Sequence, residues 1–84
     1  MLKHWVGNYD GRREALVCAA TKKRAIELIG GSRTSFNDYY RGDARPWCAE
    51  VTGAVEGVWL RPNCLRLAPD EGWQKAGWQK RSVR

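Results

Sequence analysis

Thr21-Lys22-Lys23-Arg24-Ala25-Ile26-Glu27-Leu28-Ile29-Gly30-Gly31-Ser32-Arg33-Thr34-Ser35-Phe36-Asn37-Asp38-Tyr39-Tyr40-Arg41 is the stretch on which the fold turns. Thr21 has the hydroxyl that accepts a backbone N–H bond at a helix start. Lys22, Lys23 and Arg24 are good helix formers, and Ala25, Ile26, Leu28 and Ile29 make an apolar stripe at helical spacing. Gly30-Gly31 ends that helix. Ser32 caps a second one, in which Phe36, Tyr39 and Tyr40 recur at i, i+3 and i+4 as an aromatic stripe. Gly42 suits the left-handed position after its last turn. The reading is two short helices with a glycine turn between them.

Upstream the period changes to two. Leu2 to Tyr9 and Arg12 to Ala20 read as strands joined by Asp10-Gly11, the dipeptide that fits a type I′ hairpin turn. Pairing across a two-residue turn puts Trp5 opposite Leu16, Val6 opposite Ala15 and His4 opposite Val17. Downstream, Pro46 suits the first turn of a third helix through about Thr52, with Trp47 and Val51 on one face. Val58 to Arg61 reads as a strand joining the hairpin, followed by a Pro62-Asn63 turn and a further strand from Cys64 to Leu67. The predicted class is α+β: residues 1–69 form one domain, with the helices packed on one face of a small antiparallel sheet. Residues 70–84 form a basic, Trp-containing tail that is extended or loosely ordered.

Composition narrows the function classes. Apolar residues make up 43% and charged residues 29%, a globular balance that fits neither a disordered chain nor a membrane protein. No run approaches the roughly 20 apolar residues that span a bilayer, and Met1 to Trp5 lacks the features of a secretion signal, so the expected location is the cytoplasm. Cys18, Cys48 and Cys64 are odd in number and lack metal-type spacing, which points to reduced, buried thiols. The formal charge is +6 and the pI is 9.7, favouring a polyanionic partner or an acidic protein surface. The excess sits in residues 21–42 and 70–84.

The stretch from Ala20 to Tyr40 resembles the helix-turn-helix of phage and bacterial regulators. Ala25, Ile29, Gly30, Ser32, Phe36 and Tyr39 fall where that motif wants apolar packing, a glycine opening the turn and a polar residue starting the second helix. The resemblance implies a recognition helix from Ser32 to Arg41. Arg33, Thr34 and Asn37 would then be offered to base edges, and Lys22, Lys23, Arg24 and Arg41 to phosphates. Arginine reads guanine bidentately and asparagine reads adenine.

Taken whole, strand, strand, helix, turn, helix, strand in a short basic chain is similar to the small proteins of phages and prophages. That resemblance implies either a nucleic-acid-binding accessory protein or a host-directed inhibitor of anti-CRISPR type, acting in the host cytoplasm by occluding a surface of its target. A basic inhibitor would have to meet an acidic patch of a host protein complex.

Of the five tryptophans, Trp5, Trp47 and Trp59 suit the core. Trp73 and Trp78 lie in a short repeat, Gly72-Trp73-Gln74-Lys75-Ala76 followed by Gly77-Trp78-Gln79-Lys80-Arg81. With Lys75, Lys80 and Arg81 they could stack on bases while the cations meet phosphate, anchor a protein interface, or fold back over the sheet edge.

Catalytic signals are weak. His4 is the single histidine and has no evident third group to orient a Cys–His pair. No glycine-rich phosphate loop, paired-carboxylate motif or metal-ligand cluster stands out, and Asp70-Glu71 reads as a solvated turn. The expectation is a non-enzymatic binding protein without cofactor or metal, with nucleic acid as the favoured partner and a host protein as the rival.

Overall fold

The computed structural model describes residues 1–62 and 77–81. Along the chain run β1 (Lys3–Asn8), β2 (Arg13–Ala19), α1 (Lys22–Ile29), α2 (Arg33–Tyr39), β3 (Tyr40–Gly42), α3 (Pro46–Thr52), β4 (Gly57–Pro62) and β5 (Gln79–Lys80). The fold is α+β, as the sequence predicts. The strands pair antiparallel in the order β3-β1-β2-β4-β5, so the N-terminal hairpin is the centre of the sheet.

The hairpin forms, but one residue out of the expected register. Trp5 pairs with Val17, Val6 with Leu16 and His4 with Cys18. Asp10 is the reason: its Oδ1 accepts from the backbone N–H of both Arg12 and Arg13, while Asn8 Oδ1 accepts from Gly11 N–H. These bonds stabilise a three-residue loop, Asp10-Gly11-Arg12, closed by Tyr9 N–H donating to Arg13 O at 2.9 Å. A one-residue shift exchanges cross-strand partners throughout the ribbon.

The helices do not share one face, contrary to the sequence expectation. On one side Ala15, Val17 and Ala19 of β2 meet Val58 of β4, Ala25 of α1, Phe36 of α2 and Tyr40. On the other, Leu16 and Cys18 meet Trp59 of β4 and Cys48 of α3, with Trp47, Val51 and Trp78 packed around them. Ala15 to Ala19 are each fully buried because β2 is covered on both faces. A continuous apolar run is what a doubly covered strand requires.

The helix caps follow the sequence. Thr21 accepts from Arg24 N–H and Ser32 from Ser35 N–H, Gly30 and Gly31 take positive φ between the helices, and Pro46 opens α3. Gly42 does not serve as a left-handed cap. Tyr40 ends α2 in extended conformation and the chain passes directly into β3, because the stacked Phe36 and Tyr40 rings, 4.8 Å apart, pull it onto β1. Gly7 makes that approach possible, since a Cβ there would overlap the Tyr39 carbonyl oxygen.

The strand expected from Val58 to Arg61 is β4, paired with β2. The Pro62-Asn63 turn and the Cys64 to Leu67 strand involve residues outside those described. Gln79 and Lys80 pair with Leu60 and Trp59, so this part of the C-terminal segment adds a strand to the sheet beside β4.

Candidate nucleic-acid interface

The α1–α2 side of the molecule gathers four of the five cations assigned to the helix-turn-helix-like stretch. Lys22 and Lys23 lie exposed in the first turn of α1, and Arg33 lies exposed in the first turn of α2. None of the three has a carboxylate within ion-pair distance among the described residues. Arg24 differs: it bridges Glu56 at 2.9 Å and Glu27 at 3.4 Å, tying α1 to the start of β4. Thr34 and Asn37 are exposed three residues apart, hence on neighbouring turns of α2, while Phe36 faces the core. Asp38, also exposed, sets one negative charge on the same helix. Arg41 is separated from this group, because strand alternation places it with Val6 on the α3 side of the sheet.

α1 and α2 are each fastened to the sheet, α1 through Ala25 and α2 through Phe36, whose ring meets Trp5 edge-on at 6.1 Å. The outer side of α2 is therefore open to solvent, with Tyr39 58% exposed.

A second cationic cluster occupies the hairpin end of the sheet. Asp10 holds Arg13 through its Nε and Nη2, and this guanidinium depresses the carboxyl's pKa. Arg81 donates from Nη2 to the Leu28 carbonyl and from Nη1 to Tyr9 Oη at 3.4 Å, so the end of β5 caps the last turn of α1. Both guanidinium groups lie over the Tyr9 ring, Arg13 at 5.2 Å and Arg81 at 6.0 Å. Of these, the sequence reading included Arg81 but passed over Tyr9 and Arg13. The available signal was Arg12-Arg13 directly after a hairpin turn, beside an aromatic.

The tail residues Trp78 and Lys80 turn towards α3. Trp78 stacks with Trp47 at 6.1 Å and lies 4.5 Å under the Arg61 guanidinium, while Arg45 sits 5.5 Å over Trp47. Lys80 rests 5.5 Å over Trp59. Trp73 and Lys75 fall outside the described residues.

His4 lies among polar core groups. Its Nε2 is 2.9 Å from Thr52 Oγ1, and it pairs across the sheet with Cys18. Burial lowers the His4 pKa against the opposing pull of Asp43. Burial raises the thiols of Cys18 and Cys48, the latter to about 12, which makes these two poor nucleophiles. Among the described residues, no three His, Cys, Asp or Glu side chains converge as a metal site, and no helix is long and apolar enough to cross a membrane.

Comparison with protein families, with curated proteins and with solved structures finds no match to this chain.

Proposed function

We propose that the chain binds nucleic acid through the α1–α2 side, with Lys22, Lys23 and Arg33 on phosphates and Thr34 and Asn37 towards the bases. The observation that carries this reading is the asymmetry of pairing. Asp10, Glu14, Glu27, Asp43 and Glu56 are each taken up by an arginine, so they do not offset these three exposed cations. Arg24, already bridged to two carboxylates, positions α1, and Arg41 contributes from the opposite side of the sheet or not at all. A small accessory protein that coats or marks nucleic acid fits this surface better than a thiol enzyme built on Cys18 or Cys48, because both of these are buried and deactivated.

The rival, an inhibitor that grips a host protein with its tail tryptophans, is less well supported. Trp78 is already engaged by Trp47 and Arg61 within the fold. A hot-spot ring needs to be offered outward.

Binding to duplex DNA and to single-stranded RNA, followed by fluorescence anisotropy across a salt series, is the test. Three phosphate contacts give a slope of log K against log salt of about −3 on duplex DNA, and K22A/K23A reduces its size by roughly 2. Salt-independent binding, or an unchanged slope in the double variant, would remove the α1–α2 side from the function.

A further inference from the structure

A groove of about 400 Å³ opens at the hairpin end of the sheet, lined by Arg13, Leu60, Arg61, Gln79, Lys80 and Arg81 among others. Among the described residues, no carboxylate lines it. Asp10 and Glu14 stand behind it as partners of Arg13 and Arg61, so among the described residues four cations face two acids.

Arg81 is the decisive residue. It is half-buried, and the partners that hold its guanidinium are neutral oxygens, the Leu28 carbonyl and the Tyr9 hydroxyl, with no carboxylate in ion-pair range among the described residues. A partly desolvated cation without a counter-charge is unfavourable, and a bound anion relieves it. Arg13 is brought to the same Tyr9 ring, and its bonds to Asp10 use Nε and Nη2, leaving Nη1 for another acceptor. Two guanidinium groups fixed beforehand around one ring suit the several oxygens of a phosphate, because forked N–H donors match that geometry. Leu60 and Pro62 give the groove an apolar wall that a sugar or base can cover.

We propose that this groove is a phosphate-binding site, taking either a phosphodiester of a nucleic-acid backbone or the polyphosphate of a free nucleotide. The site uses none of Lys22, Lys23 and Arg33.

The test uses the full chain and two probes, inorganic pyrophosphate and a single-stranded oligothymidylate, read by amide shifts in two-dimensional NMR. Pyrophosphate should move Gln79, Lys80 and Arg81. Gln79→Glu, which places a carboxylate in the groove without breaking a described contact, should weaken that response about tenfold, the equivalent of losing one charge-assisted contact. Displacement of pyrophosphate by the oligonucleotide assigns the site to a nucleic-acid backbone. Pyrophosphate binding with no response to the oligonucleotide assigns it to a free polyphosphate. Absence of shifts at these residues, or equal pyrophosphate affinity in Q79E, overturns the proposal. K22E/K23E/R33E should leave the pyrophosphate response intact, so the two binding readings succeed or fail independently; loss of the response in that variant would also overturn this one.

Discussion

His4 belongs to β1, is paired across the sheet with Cys18 of β2 and is hydrogen-bonded to Thr52 at the end of α3. Three elements therefore share one titratable ring. Burial pushes its folded pKa below the ordinary value of 6.5, the carboxylate of Asp43 offsetting only part of the effect. The unfolded chain thus takes up a proton first as the pH falls, so the contribution is intact above pH 6.5 and is lost between there and the lower folded value. Thermal midpoints across this window should decline on acidification for the parent chain and less steeply for His4→Gln, which keeps a donor to Thr52. Parallel declines would separate the histidine from the effect. Asp10 and Asp43, both depressed chiefly by their arginine partners, act at more acidic pH.

At the scale of elements, short helices depend on their caps and on the sheet beneath them, since an isolated helix of seven or eight residues is marginal in water. Ser32→Ala removes the acceptor for Ser35 N–H and should lower the urea-derived stability by about 1 kcal/mol. A change within error would mean that the aromatic anchor alone sets the start of α2. Such caps were legible because they depend on neighbouring residues: Thr21, Ser32, Gly30-Gly31 and Pro46 all behave as their local chemistry dictates. The hairpin register was not, because Asp10 has two ways to close its turn and a dipeptide rule counts one of them. Nor was the division of the helices between two faces. Ala15 to Ala19 is apolar at every position, so alternation could not say which face is inward, although the unbroken run itself was a hint of cover on both. Gly42 failed as a cap through a long-range effect, the pull of Phe36 and Tyr40 towards β1.

Over the whole molecule, the +6 surplus is not spread evenly over its partners. Arginines take Asp10, Glu14, Glu27, Asp43 and Glu56, while Lys22, Lys23 and Arg33 have no carboxylate in ion-pair range among the described residues. The candidate cations on α1 and α2 could be read from the sequence because they are close along the chain. Arg13 and Arg81 are brought together only by the sheet, 68 residues apart in sequence, and nothing local announces their meeting at Tyr9.

The central position of β2 has a consequence for how the molecule breathes. Its backbone is bonded to β1 on one side and β4 on the other, with α1 above and α3 below. Solvent deuterium can reach the amides of Leu16, Val17 and Cys18 through complete unfolding alone, so their exchange should report the same free energy as urea denaturation. β3 and β5, each paired on a single side among the described residues, should exchange by local opening and far sooner. Similar protection at all three strands would mean that the sheet opens as one unit.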